Sequence, residues 1–367
     1  MSTRNVPDPA GEGCLLVINA GSSSLKALLL DPHDQPLWRG QTPWNPHRSQ
    51  SGAPNPAEVA LHEWLLPSIA PWSTSLALVG HRVVHGGTAF TAPTRVTADV
   101  HRQLEALTPL APLHNGPALA LLQALLAWRP ALPQWACFDT AFHHTLPPEA
   151  FTYAIPTHWR SQGLRRYGFH GLSHGHVSET VRVQRLISCH LGAGCSLCAI
   201  SNGHSMATTM GFTPLDGLVM ATRSGSVDPG LLLHLLRQGI AAEELDRELN
   251  HASGWLALSD GLSTDMRELR EAAAAGNERA TLAIAVFRRR LLEGIGAMAA
   301  SLGGVDAIAL TGGIGEHDQA LRQELKEALA WMGPVELVVV PADEEGMIAR
   351  LCRTAAGTAA GGPRDTP

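Results

Sequence analysis

The chain has 367 residues, 45% of them hydrophobic and 16% charged, which accommodates two domains of ~100–200 residues and excludes a single small module. Its formal net charge is −6 and its 27 Lys and Arg residues are scattered, so the basic stripe of a nucleic-acid binder is missing. The opening MSTRNVPDPAGEG is polar and turn-rich where a secretory signal is apolar, and no run approaches the ~18 apolar residues of a membrane span. A cytoplasmic protein with neither a nucleic-acid nor a membrane partner is expected. Six cysteines, at 14, 137, 189, 195, 198 and 352, lie mostly in apolar runs and read as buried reduced thiols.

Residues 1–13 read as an N-terminal extension. Leu15 to Ala20 and Leu25 to Leu30 are apolar runs separated by Gly21 and three serines, which predicts strand, tight turn, strand. Gln41 to Pro56, rich in Pro, Ser and Asn, reads as a surface loop. Strands are predicted near 76–84 and 134–139, and helices near 98–107, 116–128 and 173–184. The opening pattern then returns: Leu186 to Leu191 is apolar, Gly192-Ala193-Gly194 breaks it, and Ser196 to Ile200 resumes. With Asn19 aligned on His190, Gly21 falls on Gly192, an internal repeat at half-chain spacing. It predicts two similar domains, 14–185 and 186–352. Helices follow near 229–237, 241–250, 274–302 and 318–331, with strands at 305–310 and 335–340; the small residues of 353–367 read as a flexible tail. This alternation of strands and helices predicts an α/β architecture of mixed sheets flanked by helices.

The turn Asn19-Ala20-Gly21-Ser22-Ser23-Ser24, with Lys26 nearby, combines backbone N–H groups, hydroxyls and a cation, the composition of a phosphate cradle in which Asn or Ser reaches a metal ion. One such turn is equally an ordinary polar hairpin; the second copy, at His190, Gly192 and Gly194, raises the phosphate reading. Gly312, Gly313 and Gly315 follow an apolar strand and precede a helix, so their amides suit a nucleotide. Asp318 stands where a dinucleotide fingerprint needs glycine, and no P-loop pattern occurs. Arg82 and Arg223 each end an apolar stretch and are flanked by glycine, which suits clamping a carboxylate or phosphoryl group, although a lone arginine is most often in a surface ion pair. Asp139, at the end of the strand Trp135 to Phe138, and His170, His174 and His176 allow a competing zinc site and a metal-dependent hydrolase. The glycines among the histidines argue against the helix that would align 170 with 174. Cys195 and Cys198 have no second pair at zinc spacing and read as buried thiols, and His81 and His85 as structural strand residues. Glu344 and Glu345 follow a strand, where a carboxylate can bind Mg²⁺, although most exposed Glu pairs do nothing specific.

Taken together in order, VINAGSSSLK, GHRVVHGG, PLHN, FDTAFH, RYGFHGLSH, CHLGAG, GFTPLDGL, TRSG-x-x-DPG, TGGIGE and VVPADEE resemble the acetate kinase family from about residue 14 to 350. The resemblance implies two duplicated actin-like (ribonuclease H-like) domains with a nucleotide cleft between them, and a homodimer. It implies transfer of the γ-phosphoryl of ATP to acetate with Mg²⁺, or to propionate in close relatives. By motif, Asn19 and Ser23 approach the phosphates and Mg²⁺, and Glu344 helps hold the metal. Arg82 and Arg223 bind the carboxylate and the transferring group, with Asp139 nearby, and His170 donates to the phosphoryl oxygens. His114 and His190 line the same space, while Val84, Leu113, Phe169 and Pro214 form an apolar pocket for the methyl end of the acid. A carboxylate acceptor needs no base, so alignment and charge neutralisation are the catalysis implied.

The chain departs from the family's pattern at Ala193, usually Asn, at Ser226, usually Asp, and at Ala221, usually Gly. The connections between 331 and 335 and between 173 and 186 are shorter than the family's. These departures point to a further alternative, a nucleotide-binding scaffold without turnover.

Overall fold

The computed structural model describes residues 13–21, 24–44, 55–111 and 114–360. The chain packs as two compact units, residues 1–141 with 343–367, and residues 142–342.

The sheet of the first unit holds six strands in the order β3-β2-β1-β4-β6-β5, with β1 Cys14–Ala20, β2 Ser24–Leu30, β3 Pro36–Pro43, β4 Leu76–Val83, β5 Thr94–Arg95 and β6 Gln134–Phe138. β1, β4 and β6 run parallel, whereas β2 and β3 return antiparallel. Every residue of β1 and β6 is buried, as expected of strands covered on both faces, which is why both read as unbroken apolar runs. Leu16, Ile18, Leu25 and Leu29 pack with Leu61, Leu65 and Leu121 in one core cluster. Helices α1 (Ala98–Ala106) and α2 (Asn115–Trp128) stand near their expected places. The loop expected over 41–56 overlaps the end of β3 and the first residue of helical turns that run from 56 to 75, and its residues 45–54 lie outside the described residues; β3 pairs with β2 across a turn in which Asp31 accepts from the N–H groups of His33 and Gln35.

The expected tail at 353–367 needs correction, because helix α11 runs from Glu344 to Ala360. Alanine gives up least on entering a helix, and this helix buries Ile348, Ala349, Cys352 and Ala356. Gly80 of β4 lets it approach: a Cβ there would lie 2.7 Å from Cys352 Sγ. Arg353 donates to the Asp34 carboxylate and the Asp31 carbonyl, tying the helix to the β2–β3 turn. Residues 361–367 lie outside the described residues.

The second unit repeats the plan. Its sheet has the order β11-β10-β7-β8-β9, with β7 Arg185–Leu191, β8 Cys195–Ser201, β9 His204–Thr208, β10 Ala307–Thr311 and β11 Glu336–Val339. Parallel and antiparallel pairings match those of β6-β4-β1-β2-β3, so the fold is a duplicated α/β arrangement of mixed sheets flanked by helices. Both repeated turns span three residues between their strands, closed by Gly21 N–H to Ser24 C=O at 2.9 Å and Gly192 N–H to Gly194 C=O at 3.1 Å.

Helix α3 (Gly171–Thr180) precedes this sheet and packs on β7 and β10. Residues 142–185 therefore group with the second unit, and α11 with the first, rather than as 14–185 and 186–352. Beyond β9 come α4 (Pro229–Arg237), α5 (Ala242–His251), α6 (Gly254–Leu258), α7 (Met266–Ala274), α8 (Glu278–Leu302), α9 (Gly312–His317) and α10 (Gln319–Ala328). The single helix expected over 274–302 breaks before 278 because Gly276 adopts φ 92° and Asn277 caps α8 through Ala280 N–H. Among the described residues no helix is long and apolar enough to cross a membrane.

Burial holds His81, His85 and His143 at pKa values of about 4, below the ordinary 6.5, and outweighs the opposing hydrogen bonds of His81 with Gln134 and of His143 with the Phe169 carbonyl. The unfolded chain therefore binds more protons between pH 6.5 and 4, and stability falls as pH drops through that window. Calorimetry is expected to show Tm level above pH 6.5 and declining steadily from there to pH 4; equal Tm at pH 7.5 and 5 would contradict this.

Candidate functional site

In the first unit, the carboxyl ends of three adjacent parallel strands carry the polar side chains, the usual place for ligand-handling groups in such sheets. β1 presents Asn19, β4 presents Arg82, and Asp139 follows β6. Arg82 Nε donates to both carboxylate oxygens of Asp139, at 3.0 and 3.1 Å, and its terminal nitrogens reach Asp139 and the amide oxygen of Asn19. Asn19 donates in turn to Glu345 Oε1 at 2.9 Å. Burial alone would lower the Arg82 pKa; the charge and hydrogen bonds of Asp139, with Glu344 and Glu345, outweigh it and hold the guanidinium above its ordinary value. The result is a fixed, permanently charged arginine at the carboxyl end of a central strand.

Asn19, Asp139, Glu344 and Glu345 are hard oxygen donors of the kind Mg²⁺ takes. Among the described residues no three His, Cys, Asp or Glu side chains converge into a metal cage. The set therefore fits an ion held through one or two carboxylates, with water and substrate oxygens completing its shell. The carboxylate bonded to Asn19 belongs to Glu345, one residue beyond the expected Glu344. Lys26 is exposed, directly across the β1–β2 ladder from Asn19. Val84 is buried, and His114 precedes α2. Ser23 and Leu113 lie outside the described residues.

In the second unit, His170 opens α3 and His190 ends β7. Their ring centroids lie 4.2 Å apart with the planes tilted by 32°. His170 Nδ1 lies 2.9 Å from Ser196 Oγ, and Ser173 Oγ lies 2.8 Å from His190 Nδ1. Gly194 sits against the far edge of His170: a Cβ there would lie 3.4 Å from His170 Nε2 and 3.7 Å from an Arg223 terminal nitrogen. Arg223 also donates to the Pro214 carbonyl at 3.3 Å. Phe169 is buried, and its carbonyl accepts from His143 Nε2.

The zinc alternative loses its ligands. α3 does form despite its glycines, yet both ring nitrogens of His174 are taken by serine hydroxyls, and His176 Nε2 bonds the Pro341 carbonyl. Cys195 and Cys198 are buried as expected, and burial pushes both thiols up to about 12, so they stay protonated.

A cavity of about 710 Å³ opens beside the second glycine turn, with Gly192, Ala193, Gly313 and Ile314 among its walls. Gly312 is required by its φ of 79°, where a Cβ would also meet the Leu191 carbonyl at 2.8 Å, while Gly315 packs on Leu310. Of the three glycines, only Gly313 lines the cavity. The opposite wall comes from Trp255 and α7, held by Arg270, which bridges Asp318 at 2.6 Å and Glu324 at 3.0 Å. No motif marked these wall residues; the one local sign of α7 is its Asp265 cap, bonded to Arg267 N–H.

The departures resolve individually. Ala193 accepts from Ala221 N–H at 3.0 Å and contributes backbone and a methyl group to the cavity where Asn would add an amide. Ser226 donates to the Asp216 carboxylate, which also binds Arg166.

The sequence profile of the acetokinase family matches residues 14–337. The chain is 41% identical over 396 residues to an acetate kinase of Synechococcus, covering 92% of this chain and 98% of the relative. Its structure is similar to a propionate kinase of Francisella tularensis, with TM-score 0.86, 34% identity and coverage of 93% and 99% of the two chains. It is also similar to an acetate kinase of Porphyromonas gingivalis, with TM-score 0.82, 33% identity and the same coverages.

Removing one member of a buried ion pair costs more than removing both, because the survivor stays charged without its counter-ion. Asp139→Ala is therefore expected to lower unfolding free energy by about 3 kcal/mol, and Asp139→Ala combined with Arg82→Met by less. Urea titration distinguishes the two; equal losses would mean the pair is not coupled.

Proposed function

The chain belongs to the acetate kinase family, and from that premise we propose that it transfers the γ-phosphoryl of ATP reversibly to acetate, giving ADP and acetyl phosphate. A carboxylate oxygen of the acid forms the new bond to phosphorus as the bond to the ADP oxygen breaks. Neither proton removal nor a covalent enzyme intermediate is required, so the protein's task is alignment and charge neutralisation. The observation that supports this reading best is Arg82, held by Asp139 and Asn19 at the strand ends, a guanidinium fixed before any anion arrives.

In this reading Arg82 and Arg223 neutralise the acid's carboxylate and the transferring group, Asp139 orients Arg82, and His170 donates to a phosphoryl oxygen. Asn19, Ser23, Lys26 and His190 act on the phosphates. The backbone of Gly192 and Gly313 lets the nucleotide approach, with Gly194, Gly312 and Gly315 shaping the turns that present them. Val84, Leu113, His114, Phe169 and Pro214 are assigned to the acid. Asn19 with Glu344 or Glu345 would hold Mg²⁺, whose charge screens the phosphate oxygens when bound. Propionate as the preferred acid is the second reading, supported by the likeness to the Francisella propionate kinase. A cytoplasmic setting is proposed because ATP is the co-substrate.

Acyl phosphate trapped as hydroxamate, with ATP, Mg²⁺ and acetate, propionate or butyrate, tests the activity and ranks the acids. Arg82→Ala is expected to lower kcat/KM at least ~100-fold, about 3 kcal/mol of transition-state stabilisation. Silence of the wild-type protein with ATP still bound would leave the scaffold reading.

We also propose a homodimer in which a second copy covers α4. This helix buries none of its residues and exposes Leu233 and Leu236, three apart on one face, by 50 and 43%, with Leu231 exposed by 47% on another side, apolar surface a monomer rarely leaves in water. Light scattering should report a dimer for the wild type and a monomer for Leu233→Glu combined with Leu236→Glu; a dimer surviving in the variant would place the interface elsewhere.

A further inference from the structure

Strand β9 stops at Thr208, and from there three successive carbonyls point to one place. Those of Thr208, Thr209 and Met210 all accept from Nη1 of Arg166, at 3.2, 2.7 and 2.7 Å. Along a strand successive carbonyls point to opposite sides, so three in a row aimed at one nitrogen require the strand to end there. Oxygens drawn together in this way repel one another, and a guanidinium between them makes the arrangement favourable. The direction of every bond is fixed, since arginine only donates and a carbonyl only accepts.

The same guanidinium holds the far end of this loop. Its Nη2 donates to Asp216 Oδ2 at 3.2 Å, while Asp216 Oδ1 accepts from the Gly217 N–H at 2.9 Å and from the Ser226 hydroxyl. The Ser226 N–H returns to the Gly217 carbonyl at 3.0 Å. Arg223 lies between these two tied points, in a turn closed by the Met220 N–H on the Arg223 carbonyl at 3.1 Å. Pro214 lies inside the first loop, and its carbonyl accepts from Arg223 Nη1 at 3.3 Å. One side chain thus braces the loop that carries Pro214 and, through Asp216, the loop that carries Arg223.

The first loop has little slack. A Cβ on Gly211 would lie 2.5 Å from Tyr153 Oη and 2.6 Å from Asp216 Oδ2, and Tyr153 Oη accepts from the Phe212 N–H at 2.9 Å. The side chains of Arg166 and Asp216 are 21 and 35% exposed, so what they fix is the path of the two loops rather than an apolar core beneath them. A displacement of about 1 Å in a group that holds substrate can cost ~100-fold in rate.

We propose that Arg166, with Asp216, is a positioning residue for the carboxylic acid: it sets the place of the Arg223 guanidinium against the Pro214 wall, and so how tightly a short-chain carboxylate is held. The acid in this inference rests on the kinase reading, whereas the bracing of the two loops does not. Neither Arg166 nor Asp216 need touch the acid for this.

Two measurements on the full-length protein test it. In the hydroxamate assay, Arg166→Met, which keeps the aliphatic stem and removes the fork, is expected to raise KM for acetate about tenfold or more, with KM for ATP held within about threefold. Arg166→Lys, whose ammonium can meet the carbonyls, should recover part of that loss. Asp216→Ala should also raise KM for acetate, and combined with Arg166→Met by less than the product of the two effects, because both act through one tie. An unchanged KM for acetate, or KM values for acetate and ATP that rise together as Tm falls, would overturn the positioning role. Hydrogen exchange of the ligand-free protein reads the bracing directly: in Arg166→Met the amides of Phe212, Gly217 and Ser226 are expected to exchange about tenfold faster or more, while those of β7 and β8 keep their rates. Unchanged rates at all three overturn the bracing whether or not the protein is a kinase. Should Arg166→Met fail to fold, Arg166→Lys and Asp216→Ala carry the same two readouts. A silent wild-type enzyme would overturn the kinase reading and the acid's part in the proposal, and the exchange rates alone would then decide the bracing.

Discussion

A guanidinium withdrawn from water must find an opposite charge and partners for its N–H groups, or the cost of several kcal/mol goes unmet. Arg82 imposes that condition on the first unit. Asp139 supplies the charge and accepts from two of its nitrogens, Asn19 accepts from a third, and Glu345 holds Asn19. The condition also governs strand register. Arg82 pairs with Cys137 across β4 and β6, and Asp139 lies two residues further on, with its N–H on the Val83 carbonyl. Sliding β6 by one residue would turn Asp139 to the other face of the sheet and leave Arg82 without its counter-ion.

The second unit has the same strand order but solves a different problem with it. Where β1 carries Asn19 near its end, bonded to an arginine and a glutamate, β7 carries His190 near its end, its ring tilted against that of His170 and bonded to Ser173. Serine and histidine replace charge as the means of satisfying buried polar atoms. Duplication has preserved the hairpin, its three-residue turn and the parallel strands that follow, while the side chains at the strand ends have diverged toward an arginine–carboxylate–amide set in one unit and a histidine–serine set in the other.

The departures from the family pattern fall into two kinds under this geometry. Ser226 is absorbed: its hydroxyl meets Asp216, and Arg166 secures the same carboxylate. Ala193 is different, because its side chain borders the cavity and only its carbonyl is engaged, by Ala221. An amide lost from a cavity wall weakens what enters the cavity without disturbing the fold around it. The two substitutions are thus compatible with an intact scaffold for different reasons.

Much of the fold is legible in the local sequence. Doubly buried strands print themselves as apolar runs, and glycine turns stop them, so β1, β2, β7 and β8, the internal repeat and the strand-end positions of Asn19, Arg82 and Asp139 could be read directly. Helix α11 could not, since its alanines and single cysteine carry no strong periodicity, and only the sheet they cover gives them a buried face. Nor could the cavity wall on α7, whose charged residues are ordinary on a solvated helix until Arg270 is brought to Asp318 and Glu324, 48 and 54 positions along the chain. The local sequence therefore determined which segments are strands and which residue types end them, because backbone sterics and burial act over neighbouring residues. Which carboxylate meets Asn19, and which serine meets each imidazole, was left to the folded chain, since contacts between distant residues depend on register and packing that no short stretch encodes.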